Sequence, residues 1–123
     1  MRSILLVSHG SKAPQARKEI KVLAEQLKKR SRVVIVQPAF LEIESPDIPE
    51  GIKQCAQKGA TEIIILLNFL NSGRHAGEDI PKIIRQARKN YPGVKFRLTK
   101  PIGQQGYLVD IFLKLLDDPT NIV

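Results

Sequence analysis

The sequence predicts a single α/β domain with a four-stranded parallel sheet in the order 2-1-3-4, the arrangement of flavodoxin-like folds. Short apolar runs alternate with amphipathic stretches of helical period, which is the first reason for this prediction. The second reason is that the connections between them are short, which favours parallel strands joined by right-handed crossovers. The third is the length of 123 residues, which suits one hydrophobic core; we therefore expect one domain over residues 1–123.

The first half of the chain is predicted to hold two strand–helix units. The first strand covers 3–8, and the helix after it covers 13–30, with small and aliphatic residues recurring on one face. The second strand covers 33–38. A second helix follows, beginning within residues 45–47 and ending near Lys58, just before a glycine stop signal.

The second half is predicted to hold two more strands. A strand over 62–67 leads into a polar loop, Asn71 to Gly77, and an aspartate-then-proline start signal opens a helix over 79–91. A short strand over 94–98 precedes the last helix, at about 104–117. This last helix is apolar on more than one face, which indicates burial either within the fold or against a second subunit.

The chain is strongly basic, with a formal net charge of +8. Most of the basic residues cluster within 12–32 and 82–100. Such a field attracts nucleic acid or a phosphate or polycarboxylate ligand, although solvated helix faces are a simpler explanation for many of these residues. Four phenylalanines, two tyrosines and no tryptophan offer few stacking platforms, which argues against RNA binding.

The short apolar segments and the single cysteine indicate where in the cell the protein is located. The apolar runs are far shorter than the roughly 20 residues that span a bilayer, and the first strand begins at the amino terminus, so we expect neither a membrane segment nor a signal peptide. The only cysteine, Cys55, cannot form an internal disulfide and is predicted to be a packing residue. A cytoplasmic location is the resulting prediction.

The chain has two histidines, and each follows a predicted strand. His9 comes after the first strand and His75 after the third. In a sheet ordered 2-1-3-4 these strands are neighbours, and ligands bind between their carboxyl ends. We therefore expect the two imidazoles to face each other across a crevice, where they can accept protons or bind a divalent metal. Glu42, after the second strand, either adds an oxygen ligand or base or is an ordinary surface carboxylate.

Five short motifs, in order along nearly the whole chain, resemble those of the class II tetrapyrrole chelatases. They are His-Gly-Ser at 9–11, Phe-Leu-Glu at 40–42, Phe-Leu-Asn-Ser-Gly-Arg-His at 69–75, Asp-Ile-Pro at 79–81 and Pro-Ile-Gly at 101–103. This family includes the sirohydrochlorin cobalto-, ferro- and nickelochelatases. The chain is most similar to the short, single-domain sirohydrochlorin cobaltochelatases.

The resemblance implies particular roles for particular residues. His9 and His75 would handle the metal, with His9 as the proton acceptor, and Glu42 matches a carboxylate that joins the metal site in some relatives. The positions that would touch the macrocycle are Ser45, Leu70, Asn71, Ser72, Gly73 and Arg74. The eight carboxylates of the substrate would need a basic rim, for which Arg74 is the main candidate and Lys12 and Lys100 are suggested by loop position.

The resemblance also implies an activity and partners. The expected reaction is ATP-independent insertion of Co²⁺ into sirohydrochlorin with release of two protons, a step of cobalamin biosynthesis. Fe²⁺ or Ni²⁺ insertion, for sirohaem or coenzyme F430, is an alternative. A non-catalytic protein that binds a tetrapyrrole, a metal or an anionic nucleotide is another. We expect the metal as substrate with no tightly bound cofactor, a homodimer holding the tetrapyrrole between subunits, and neither nucleic acid nor membrane as partner.

Overall fold

The structure, a computed structural model, describes residues 1–71 and 73–119, and at His75 it describes the main chain only. The chain alternates strands and helices from its first residues to its last described helix. The elements are β1 (Arg2–Ser8), α1 (Pro14–Ser31), β2 (Ile35–Phe40), α2 (Ile48–Gln57), β3 (Glu62–Leu67), α3 (Gly73–Asn90), β4 (Lys95–Leu98), a 3₁₀ turn (Ile102–Gln104) and α4 (Tyr107–Leu116).

The four strands form one parallel sheet in the order β2-β1-β3-β4, which confirms the predicted topology. The central strand β1 pairs with β2 and with β3, so that Ser8 lies beside Phe40 and Val7 beside Leu67. Because all strands run in the same direction, their carboxyl ends meet at one edge of the sheet. The loops after β1, β2 and β3 therefore emerge close together.

The core lies between one face of the sheet and helices α2 and α3. Side chains of β3 alternate between buried and half-buried, and Ile63 and Ile65 are fully buried against Ile52 of α2 and Ile80 of α3. Cys55 belongs to this cluster, as predicted, and its burial raises the pKa of the thiol. On the opposite face, α1 covers the sheet less completely, since its apolar residues are mostly half-buried.

Several predicted boundaries are wrong. Strand β2 covers Ile35–Phe40 rather than residues 33–38. Helix α3 begins at Gly73, so most of the predicted loop 71–77 is helical, and Pro81 lies inside the helix rather than in its first turn. The extra turns are stabilised because Ala76 and Ile80, one turn apart on the same helix face, are both buried in the core. Burial of that face outweighs the backbone hydrogen bond lost at proline.

The start of helix α2 is fixed by its capping residue, Asp47. The Asp47 side chain accepts a hydrogen bond from the amide of Glu50 at 2.9 Å, and Pro49 occupies the first turn. This arrangement satisfies one of the free amides that every helix start exposes. Of the three predicted starting positions, Asp47 is therefore the cap.

The last predicted helix is divided into the 3₁₀ turn and α4. Within the described chain, α4 makes its main contacts with that turn, and most of its residues are exposed. Burial within its own fold, one of the two predicted explanations for its apolar faces, is therefore wrong. Leu108 is half-buried, and the other large apolar side chains of α4 are 53–78% exposed: Tyr107, Val109, Ile111, Phe112, Leu113, Leu115 and Leu116. Among the described helices, none has the length and apolar character needed to cross a membrane.

Candidate functional site

The loops that follow β1 and β2 are joined by backbone hydrogen bonds just past the ends of the strands. The amide of Leu41 donates to the carbonyl of Ser8 at 3.0 Å, and the amide of Glu42 donates to the carbonyl of His9 at 3.1 Å. These bonds join the two loops beyond the last strand pair and hold the main chains of His9 and Glu42 side by side. Two predicted site residues from different strands thus meet at the carboxyl edge of the sheet.

Gly10 allows this close approach. Its φ of 101° lies in the region that favours glycine, and an added Cβ would collide with the carbonyl oxygen of Glu42. Any other residue at this position would both strain the backbone and push the two loops apart. The glycine of the His-Gly-Ser motif is therefore required by the contact between the loops.

The imidazole of His9 is exposed but is supported on one side by an aromatic ring. The centroids of His9 and Phe69 are 4.7 Å apart, with the ring planes tilted by 41°. Phe69 is buried, and its carbonyl accepts a hydrogen bond from the amide of Gly103 at 3.3 Å. Gly103 lies so close to the backbone of Leu70 that a Cβ there would collide with it. The 3₁₀ turn thus supports the segment that orients His9.

A cavity of about 440 Å³ opens beside His9. It lies between the loops after β1 and β2 on one side and the start of α3 on the other. Its described lining residues are His9, Leu41, Glu42, Gly73, Arg74, Ala76 and Asp79. The structure therefore brings together an imidazole, two carboxylates and a guanidinium in one hollow at the edge where α/β folds bind ligands.

The main chain of His75 lies in the first turn of α3, between Arg74 and Ala76, which both line the cavity. This placement corrects the expectation of a loop residue. The His75 side chain lies outside the described residues. That the two imidazoles face each other stays a prediction.

The residues expected to touch the macrocycle fall into three groups. Gly73 and Arg74 line the cavity. Leu70 and Asn71 are exposed in the connection between β3 and α3, whereas Ser45 lies on a separate groove between α1 and β2. Ser72 lies outside the described residues. The structure therefore gathers part of the predicted set around His9 and places Ser45 elsewhere.

Asp79 is a lining residue that sequence reasoning missed. Its sequence context was interpreted as the start signal of a helix, but it lies within α3 and contributes a carboxylate to the cavity wall. Asp79 follows His75 by four residues, a spacing that places two residues on the same side of a helix. This signal becomes readable only once the helix is known to begin at Gly73.

The described side chains at this site include donor atoms that a metal ion could use. Among the described side chains, no group of three or more histidine, cysteine, aspartate or glutamate residues lies close enough to hold a metal ion. His9 nevertheless offers a nitrogen donor and Glu42 an oxygen donor on the same wall, a pairing that suits borderline divalent metals.

Comparison with known proteins gives consistent matches. The CbiX family model matches residues 3–118. The chain is 34% identical over 122 residues to the sirohydrochlorin ferrochelatase of Priestia megaterium, covering 99% of this chain and 46% of that protein. It is 34% identical over 91 residues to the sirohydrochlorin cobaltochelatase of Methanocaldococcus jannaschii, covering 74% of this chain and 64% of that protein.

Solved structures give the same result. The sirohydrochlorin chelatase SirB from Bacillus subtilis subspecies spizizenii, in complex with cobalt, superimposes with a TM-score of 0.80 at 32% identity, over 94% of this chain and 50% of that chain. The CbiX protein from Marinobacter aquaeolei VT8, at 24% identity, shares the fold with a TM-score of 0.77 over 94% of both chains. The match covers 38–48% of the length of four of the curated relatives and 58–64% of four others.

Proposed function

Because the chain belongs to the CbiX family, we propose that it is a chelatase that inserts a divalent metal ion into sirohydrochlorin without ATP. Co²⁺, for cobalamin biosynthesis, is the ion we propose, and Fe²⁺ and Ni²⁺ are the alternatives, since relatives named for cobalt and for iron are equally similar. The observation that carries the proposal is the cavity that unites His9, Glu42 and Arg74. The cytoplasmic location stays a prediction from the single cysteine.

Metal insertion replaces two pyrrole N–H protons with one divalent ion, so the site needs a base and a metal donor near the ring centre. Neutral imidazole can serve as either near neutral pH, and the exposed His9 ring, supported by Phe69, is the proposed proton acceptor. Glu42 is the proposed oxygen donor and His75 the second metal ligand. Holding the ion against one face of the ring turns an encounter of two partners into a positioned transfer.

The charge of the protein suits a polycarboxylate substrate. Arg74 lies on the cavity wall, and a guanidinium pairs with carboxylates in a bidentate geometry. The net charge of +8 attracts anions over a longer range. Lys12 and Lys100 are exposed and stay candidates for the rim. Leu70 is 64% exposed beside this edge, which suits contact with an apolar ring face.

We also propose that two copies of the chain associate through α4. A groove of about 320 Å³ lies on the sheet face next to α1, where its apolar lining includes Leu6, Leu23, Leu27, Leu66 and Ile102. The exposed α4 offers a matching apolar surface, and burying one such side chain contributes about 1.5–3 kcal/mol. A second copy is the occupant we propose, since four of the relatives are about twice as long as this chain.

The proposed activity is tested by mixing the protein with sirohydrochlorin under anaerobic conditions and adding Co²⁺, Fe²⁺ or Ni²⁺ in parallel. The absorbance change of metallation should be faster with protein than in the metal-only blank, and fastest for Co²⁺. No acceleration for any of the three ions would contradict a chelatase. Stoichiometric binding of sirohydrochlorin without a metallated product would instead indicate a carrier.

A further inference from the structure

A buried carboxylate lies next to the candidate site without being part of its wall. The side chain of Glu44 is only 7% exposed, although it belongs to the same loop as the exposed Glu42. Glu42 lines the cavity beside His9, whereas Glu44 lines the separate groove between α1 and β2. Burying a carboxylate is costly unless it is paired and hydrogen-bonded, so its partners show what it does.

Glu44 connects three segments of the chain. Its Oε2 accepts a hydrogen bond from the amide of Ser11 at 2.9 Å, and its Oε1 lies 3.2 Å from Nε of Arg17. Its own amide donates to the carbonyl of Glu42 at 2.8 Å. The loop after β1, helix α1 and the loop after β2 are therefore joined through one side chain. Arg17 is 63% exposed, so the hydrogen bond to Ser11 carries the argument rather than the ion pair.

The contacts of Glu44 continue those that align the site. The hydrogen bond from the amide of Glu42 to His9 joins the two loops once, and the hydrogen bond from the amide of Ser11 to Glu44 joins them again two residues further along each loop. Between these two links lies Ile43, whose φ of 71° is unfavourable for a β-branched residue. Such backbone persists only where its surroundings impose it, and the links on both sides do so.

We propose that Glu44 is a positioning residue that fixes His9 relative to Glu42 by tying Ser11 and Arg17 to the loop after β2. It acts without touching metal or substrate, because its carboxylate faces the groove next to α1. The catalytic part of this inference rests on the proposed chelatase function, whereas the alignment of the two loops does not.

Three variants test the proposal. Glu44→Ala removes both oxygens; Glu44→Gln keeps an oxygen that can accept from the Ser11 amide. Glu25→Gln is the matched control, since it makes the same change at an exposed carboxylate on α1. We expect Glu44→Ala to lower kcat by roughly 100-fold with KM for sirohydrochlorin within about threefold, the cost typical of a small misplacement of catalytic groups. Glu44→Gln should recover most of this loss, and Glu25→Gln should match the unmodified protein.

Amide hydrogen exchange provides a readout that does not depend on turnover. In Glu44→Ala the amides of Ser11 and Glu42 should exchange at least about tenfold faster, while that of Ile65 in the core strand keeps its protection. Equal acceleration at Ile65 would mean that Glu44 only stabilises the whole fold, which would overturn the proposal. If Glu44→Ala fails to fold, exchange of the Ser11 and Glu42 amides is measured in Glu44→Gln instead. These amides should stay protected there, and faster exchange would overturn the proposal.

Two further outcomes would overturn the inference. Wild-type kcat in Glu44→Ala would show that the alignment of the loops does not need this carboxylate. A loss in Glu44→Gln as large as that in Glu44→Ala, with Ser11 still protected, would show that the charge itself acts on metal or substrate. A protein that inserts no metal refutes the proposed function alone. In that case local loss of protection at Ser11 and Glu42 still supports Glu44 as the link between the loops, and retained protection overturns it.

Discussion

Replacing Gly10 by alanine should open the candidate site. Two costs combine at this position: the backbone at φ 101° disfavours any residue with a Cβ, and that Cβ would collide with the carbonyl oxygen of Glu42. The first cost is about 1–2 kcal/mol. Relieving the collision means moving the loop after β2 and giving up the hydrogen bond from Glu42 to His9, which adds about 1–3 kcal/mol. We therefore expect Gly10→Ala to lower the free energy of unfolding by about 2–5 kcal/mol.

The chain offers a matched control for each cost. Gly59 has a φ of 95°, but a Cβ there would meet no atom within 4 Å, so Gly59→Ala measures the backbone cost alone. Gly93 has open space and needs no positive φ, so Gly93→Ala should be nearly neutral. Urea unfolding of the three variants separates the backbone cost from the cost of the collision with Glu42. Metal insertion is measured alongside. If Gly10→Ala cost no more than Gly59→Ala and kept full activity, the contact between the two loops would not organise the site.

Three substitutions and one alkylation experiment test separate features of the protein. His9→Ala should lower kcat for metal insertion by roughly 100-fold or more, the contribution expected of a general base, and unchanged turnover would exclude that role. Arg74→Ala should raise KM for sirohydrochlorin about tenfold with little change in kcat, because it removes a charged hydrogen bond made before the reaction; a KM that does not change would remove Arg74 from the substrate site. Phe112→Asp on α4 should shift the protein to a smaller mass in light scattering, and a wild-type mass would contradict the proposed dimer surface. Since burial raises the pKa of the Cys55 thiol, alkylation of this thiol at about pH 8 should be much slower in the folded protein than in urea. Equal rates would contradict the burial of Cys55.

The order of the strands could be predicted because it follows from patterns that span many residues. Apolar runs of the right length, separated by helical periods, leave few arrangements for a parallel sheet, and the order found is the predicted one. The start of α3 could not be predicted in the same way. Pro81 is a strong local start signal, and only the core that Ala76 and Ile80 enter makes the earlier start favourable.

At the site, too, the features that follow from strand order could be predicted, whereas those that depend on tertiary packing could not. The sequence placed His9 and Glu42 at one edge of the sheet because each follows a strand. It gave no sign that Asp79 lines the same cavity, since that depends on where α3 begins. Nor could it separate Glu42 from Glu44, two carboxylates in one loop. They differ in the direction of their side chains, which is set by Ile43 at a positive φ and by the Ser11 amide.

A second copy of the chain could cover both the open cavity and the exposed helix α4. The described walls of the cavity come from two loops and one helix, and a planar macrocycle needs a second surface to exclude water from its other face. Helix α4 leaves an apolar surface that no other described part of the chain covers, and four of the relatives are about twice as long as this chain. If a second copy covers both, its association and the affinity for sirohydrochlorin must be coupled. The affinity should then fall with dilution of the protein, whereas the proposed Co²⁺ binding by His9, His75 and Glu42, which all belong to one chain, should not.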